Sequence, residues 1–221
     1  FYKIFTRLNE LGHLDPFRGV NGQLLVALDG TQYHSSNKIH CDSCSVKEHR
    51  NGTTSYSHTV VTPVIVAPGH SRVLPLEPEF ITPQDGHHKQ DCETAAAKRW
   101  INQYAEHYRA HKITLLGDDL YSRQPLCEQA IDAGLNFIFT CKPSSHGTLY
   151  EWLNELEKTS RSIQTLTIKR RKGKWPEIDT YRFASQLPMR DGDDALMVNW
   201  CELITTEPDG QVIYHNSFIS N

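Results

Sequence analysis

The sequence predicts an α/β fold, a mixed sheet flanked by helices, with a β-rich subdomain following it. Three observations carry this expectation. Short apolar blocks of strand length alternate with helix-period patterns up to about residue 146. Strand, helix and strand then follow one another between Ile113 and Lys142, a βαβ arrangement that calls for parallel strands and a right-handed crossover. From Ile163 onward, strand alternation punctuated by turn residues takes over.

The elements justify themselves in order. Tyr2 to Leu11 has the pattern of a short helix, closed by Gly12 and Pro16. Gln23 to Asp29 is a short apolar block ended by Gly30, the pattern of a buried strand. Residues 32–57 are polar and rich in Ser, Asn, Cys and His, which predicts a long loop. His58 to Val66 is β-branched and ends at Pro68-Gly69, a second strand, and Ser71 to Leu76 is a third; together these predict an antiparallel meander. Asp91 to His111 is an amphipathic helix with Asp91 as its cap, and Ala97, Trp100, Ile101, Tyr104, Ala105 and Tyr108 form its apolar face. Ile113 to Asp119 is a strand. Ser122 caps a second helix, with Pro125 in its first turn and a stop at Gly134, and Asn136 to Lys142 is the next strand. Leu149 to Leu156 is a short helix, and turns are expected at Gly173, Asp191-Gly192 and Asp209-Gly210. Three strands, helix, strand, helix, strand is the element order of the ribonuclease H fold.

Composition bounds the function. With 221 residues, 38% of them hydrophobic, the chain can bury one sizeable core and a smaller subdomain. No stretch approaches the ~20 apolar residues that span a bilayer, and no leader pattern opens the chain, so no membrane partner is expected. The net charge of −3, from 23 basic and 26 acidic residues, gives no support to a small basic DNA-binding module. It is compatible with a nuclease core that gathers carboxylates. Six cysteines without secretory context indicate a reducing, cytoplasmic compartment, and Cys92, Cys127 and Cys141 have the setting of small buried hydrophobes.

Two aspartates end strands, Asp29 and Asp118. A lone aspartate in such a place is more often a turn former. Two in corresponding places of neighbouring strands would emerge at one sheet edge and could hold Mg²⁺ or Mn²⁺, hard cations that prefer carboxylate oxygen. A pair of such metals stabilises the attacking and leaving oxygens of phosphoryl transfer. Asp119 is the rival of Asp118. Leu28-Asp29-Gly30-Thr31 is also similar to a haloacid-dehalogenase phosphatase motif, but Ala27 and Thr31 do not supply the second aspartate that chemistry requires.

Leu25-Val-Ala-Leu-Asp-Gly-Thr31 and Leu115-Leu-Gly-Asp-Asp-Leu-Tyr-Ser122, taken together, resemble DDE-type insertion-sequence transposases. Pro83-Gln-Asp-Gly86, Lys89-Gln-Asp-Cys-Glu93, Phe137-Ile-Phe-Thr-Cys-Lys-Pro143 and Leu187 to Trp200 add to the resemblance, which runs from about Leu24 to Asn221. The resemblance implies a ribonuclease-H-like catalytic core over 21–146, preceded by the tail of a helical region over 1–20 and followed by a β-rich insertion and last strand over 147–221. It implies a Mg²⁺-dependent (or Mn²⁺-dependent) enzyme that cleaves DNA at element ends and joins the freed 3′-hydroxyl to target DNA, working as a homodimer on nucleoid DNA. Asp29 would be its first acid and Asp118 its second. The third acid in this branch is a Glu on a helix after the insertion, and Ser217 to Asn221 resembles the strand before it, so the chain is expected to be a fragment lacking that Glu. Glu151 is the substitute within the chain. A catalytically inactive DNA-binding remnant would share the same fold.

Two further groups stand out. Cys41-x-x-Cys44 lies among His34, His40, His49 and His58, and two such thiolates with nearby imidazoles can bind tetrahedral zinc. The expected set is Cys41, Cys44, His49 and one of His40 or His58; a polar loop with unbound thiols, a redox pair or a zinc-stabilised interaction module are the alternatives. Lys169, Arg170, Arg171, Lys172 and Lys174, with Trp175, make a dense basic run at an expected hairpin tip, suited to DNA phosphates and base stacking. Arg123 and Lys142 lie close in sequence to Asp118 and are expected to touch the scissile phosphate.

Overall fold

The computed structural model describes residues 1–83, 92–159, 163–172 and 175–221, apart from the side chain of residue 172. The Asp91 cap, most of the 83–91 motif residues, the turn at Gly173, and Lys174 lie outside the described residues. The chain is a mixed α/β protein with four α-helices among the described residues. None of these helices is long and apolar enough to cross a membrane. Two compact units divide it: Phe1–Leu116 with Gln129–Leu135, and Gly117–Glu128 with Asn136–Asn221.

In the first unit the elements are α1 (Tyr2–Glu10), β1 (Leu24–Ala27), β2 (Gly30–Ser36), β3 (Ser45–Glu48), β4 (Thr54–Val61), β5 (Val64–Val66), β6 (Leu74–Pro75), β7 (Glu79–Ile81), α2 (Glu93–Tyr108) and β8 (Ile113–Gly117), whose last residue belongs to the second unit. One run of strands is ordered β8-β1-β5-β6. β1 is parallel to β8, with Ala27 opposite Leu116, and antiparallel to β5. Leu24, Val26, Ile65, Ile113 and Leu115 are wholly buried, as short apolar strands require. Helix α2 buries Ala96, Ala97, Trp100, Ile101, Ala105 and Tyr108, one stripe at helical spacing, while Tyr104 stays half-buried. Helix α1 docks through Phe5, whose ring meets Tyr108 edge-on at 4.9 Å. The Tyr108 hydroxyl donates to Glu77 Oε2 at 2.6 Å, and burial pushes its pKa up.

The expected loop over 32–57 is instead half strand. β2, β4 and β3 form a second antiparallel sheet, with β7 pairing β4. β2 and β3 are largely solvent-exposed and polar, so ladder hydrogen bonds define them and no apolar alternation announces them. The expected strand 58–66 is likewise two strands. Pro63 has no amide to donate, and the chain passes there from the polar sheet into β5. The strand expected over 71–76 shrinks to Leu74–Pro75.

The second unit holds the start of α3 (Gln124–Asp132), then β9 (Asn136–Thr140), α4 (Gly147–Lys158), β10 (Gln164–Lys172), β11 (Trp175–Pro188), β12 (Met197–Thr206) and β13 (Val212–Ser220). Its strands are ordered β10-β11-β12-β13-β9, each antiparallel to the next. The β-rich tail is thus continuous with β9: Ile219 lies opposite Phe139, and Asn221 Oδ1 accepts from the Phe137 amide at 2.9 Å. Gly192 and Gly210 occupy turns at φ +115° and +90°, values that glycine adopts without strain. Ser122 does not cap α3. The helix begins at Gln124, the Arg123 carbonyl accepts its first amides, and the Ser122 hydroxyl is turned to His146. Cys127 and Cys141 are buried as expected, with thiol pKa values pushed up to about 12 by burial, but Cys92 is exposed, outside the apolar face of α2.

Candidate functional site

Cys41 and Cys44 sit on a tight turn between β2 and β3, where the Cys44 amide donates to the Cys41 carbonyl at 3.1 Å. The turn is approached through Ser36, whose hydroxyl oxygen accepts the amides of Lys38 and Ile39 at 3.1 and 2.9 Å. It brings the two sulfurs to 3.9 Å. His58, on β4, places Nε2 3.4 Å from each sulfur. These three ligand atoms all lie within 4.8 Å of one another, so Cys41, Cys44 and His58 can hold a metal ion. Among the described residues no cysteine is in a disulfide.

The other histidines of the region have different places. His49 lies in the β3–β4 turn with Nε2 2.9 Å from Ser55 Oγ. His40 stacks on Tyr56 at 4.3 Å, with Nδ1 3.1 Å from the Lys38 carbonyl. His34 is directly opposite His58 in the β2–β4 ladder, and their rings are 5.7 Å apart. The expected set had His49, with His40 or His58 as the fourth ligand. Only strand pairing brings His58 back over the cysteine turn.

Asp29 and Asp118 are both exposed. Each lies two residues beyond a member of the parallel pair Ala27 and Leu116. The Leu120 amide donates to Asp118 Oδ1 at 2.8 Å, and among the described residues no donor reaches Asp118 Oδ2. Asp119 is differently engaged. Its Oδ1 accepts from the Lys142 amide at 2.8 Å, its Oδ2 accepts from the Ser145 hydroxyl, and His146 Nε2 approaches to 3.6 Å. Burial works against this carboxylate's charge. The Ser145 and Lys142 hydrogen bonds, His146 and Arg123 outweigh that and hold its pKa below the usual value.

His146 is buried and shares a 3.0 Å hydrogen bond with the Ser122 hydroxyl. Burial lowers its pKa, with Arg123 adding to the effect against Asp119, so the ring is neutral at pH 7 and its approach to Asp119 is a polar contact. Ser122 and Asp119 face the same ring nitrogen, so this is no nucleophile–base–acid relay, in which the acid must bind the opposite nitrogen. The group fixes the segment 119–123 onto 142–146. Arg123 adds a hydrogen bond from Nη1 to the Ser145 carbonyl at 3.1 Å, and Lys142 is exposed.

The basic run falls on the β10–β11 hairpin, as expected, but its cations are not equivalent. Arg170 pairs with Asp179 at 2.6 Å and Glu177 at 3.2 Å, both acids being buried. Lys169 and Arg171 alternate with it along β10 and are exposed. Lys172 lies opposite Trp175, which is 76% exposed. Glu151 is exposed on α4, next to Trp152 and Glu155.

Sequence pattern gives Glu93 the role of a first-turn charge only. Glu93 begins α2, and its carboxylate lies over Gly30, the residue after Asp29: a Cβ on Gly30 would fall 2.2 Å from Glu93 Cδ. Nothing in the local pattern connects residues so far apart in the chain. No family model matches the chain, and no curated protein matches it.

Proposed function

We propose that this chain is the core of a DDE-type DNA transposase with a ribonuclease-H-like fold, in which Asp29 and Asp118 hold Mg²⁺ or Mn²⁺. The observation that carries this reading is the parallel pairing of β1 with β8, each strand running on into an aspartate, within an antiparallel meander β1-β5-β6. The donor set suits the ions: both aspartates are exposed and offer hard oxygen, and Asp118 Oδ2 meets no donor among the described residues. Such an ion, when bound, supplies charge neutralisation at a transferring phosphoryl group. The chain's own residues do the rest. Asp118 and Asp29 bind and orient; Asp119, tied to Ser145 and Lys142, fixes the backbone beside Asp118. Arg123, Lys142, Lys169 and Arg171 contact DNA phosphates, and Trp175 stacks on a base. The assembly on element-end DNA is a homodimer.

Mn²⁺ binding followed by electron paramagnetic resonance tests the acid assignment. The expected outcome is a site lost in Asp29→Asn and in Asp118→Asn, and retained in Asp119→Asn. No Mn²⁺ site in the wild type, or one that survives either of the first two substitutions, overturns it. Cleavage of element-end DNA in Mg²⁺ by a version of the protein that carries the third acid, lost when Asp29→Asn or Asp118→Asn is introduced into it, tests the reaction.

A second reading follows from Cys41, Cys44 and His58: a module whose polar sheet is stabilised by zinc and which serves interaction without nuclease chemistry. Zinc at that centre is compatible with both readings. The Mn²⁺ experiment separates them.

A further inference from the structure

We infer that His34 is the fourth ligand of a structural zinc ion held by Cys41, Cys44 and His58, and that this ion fastens the segment 37–44 to the polar sheet. The inference rests on the zinc reading of that centre.

The geometry fits an ion of zinc's size. With Zn–S of about 2.3 Å and Zn–N of about 2.0–2.1 Å, a tetrahedron sets the sulfurs about 3.8 Å apart and each sulfur about 3.5 Å from the nitrogen. The distances are 3.9 Å between sulfurs and 3.4 Å from each to His58 Nε2. Two thiolates and an imidazole suit zinc, and a structural zinc takes four protein ligands. Tyr33, stacked on His58 at 5.6 Å, orients the imidazole.

Among the histidines around the centre, His34 is the one placed to supply the fourth ligand. It faces His58 across the β2–β4 ladder, and its Nε2 lies only 3.4 Å from the Ile39 carbonyl, two residues before Cys41. The ring therefore already lies over the segment that leads into the cysteine turn. Turning it from that long contact toward the sulfurs is a side-chain rotation that leaves the ladder intact. His40 and His49 are held on Tyr56 and Ser55, as described.

The structural role follows from what the segment lacks. Between Ser36 and Cys44 the large apolar side chain is Ile39, and it is 73% exposed. Apart from Cys44, the segment puts no apolar side chain into a core. Ligation couples such segments to their fold by the binding free energy of the metal.

The test uses the whole chain. Elemental analysis is expected to find zinc in the wild type, absent in Cys41→Ser, Cys44→Ser and His58→Ala and present in His49→Ala. Cobalt substitution reads the ligand field: the wild type should show tetrahedral d–d absorption with thiolate charge transfer, and His34→Ala should lose d–d intensity and bind zinc at least tenfold more weakly. A zinc-free wild type overturns the zinc reading and this inference with it. Zinc in the wild type, with His34→Ala unchanged in affinity and cobalt spectrum, overturns the His34 assignment alone. Variants that fail to fold are bypassed by chelating the wild-type protein. Faster amide exchange over 37–44, with α2 and β8 unaffected, supports the structural role, and unchanged exchange there overturns it.

Discussion

Gly117 offers a direct test of the packing behind Asp118. It is the last residue of β8, and a Cβ built on it would lie 2.9 Å from Tyr121 Cδ2 and 3.1 Å from both Phe139 Cδ1 and Tyr121 Cγ. Both rings are buried, Tyr121 1% exposed and Phe139 wholly buried, and their centroids are 6.3 Å apart. Neither can swing into solvent. Overpacking by one methyl in such a place costs about 1–3 kcal/mol, offset in part by the ~0.5–1 kcal/mol that alanine gains over glycine in a strand. The middle of these ranges leaves a net loss of about 1 kcal/mol, a Tm lower by roughly 2–4 °C in a chain of this size. Thermal unfolding of Gly117→Ala followed by near-ultraviolet circular dichroism measures it, because the same rings report their own environment. Gly30→Ala is the control. The atoms nearest its added Cβ are the carboxylate end of the Glu93 side chain and not buried rings, so its Tm should fall by less. A Gly117→Ala protein as stable as wild type would refute the packing argument. A Gly117→Ala, Phe139→Leu double variant less stable than the sum of its parts would do the same, since the smaller side chain should relieve the clash.

Removing Arg170 should act on stability, whatever it does to DNA affinity. Arg170→Ala removes one cation from beside the buried Asp179 and Glu177; because Arg170 is half-exposed and the Thr205 hydroxyl still donates to Asp179, the loss should be about 1–2 kcal/mol in denaturant titration. His146 should make stability fall on acidification. Its folded pKa lies below the ordinary value of 6.5, so the unfolded chain binds the proton first; stability is full above pH 6.5 and is lost as pH falls from there through the folded pKa. The Tm of wild type should therefore drop more between pH 7 and pH 5 than that of His146→Gln, and parallel curves would contradict the burial argument.

Local pattern was enough for the apolar strands and the amphipathic helix. Leu24 to Ala27, Ile113 to Gly117 and the Trp100 face of α2 are legible because burial imposes a period on the residues themselves. The same is true of the Cys-x-x-Cys turn and of the two aspartates at strand ends. The polar sheet was not legible. β2 and β3 satisfy their amides through β4, and such pairing leaves no periodic trace in side chains that face water on both sides. For that reason tertiary structure alone decided that His58 joins Cys41 and Cys44 while His49 turns to Ser55. It alone separated Asp118 from Asp119, identical neighbours in the chain, because the amide and hydroxyl that engage Asp119 come from Lys142 and Ser145. It alone divided the basic run, since Asp179 and Glu177 reach Arg170 through strand register. Residue type and spacing determine which groups are available for chemistry; partners distant in the chain determine which of them are already bound, because a hydrogen bond or ion pair made across a sheet depends on register and not on sequence distance.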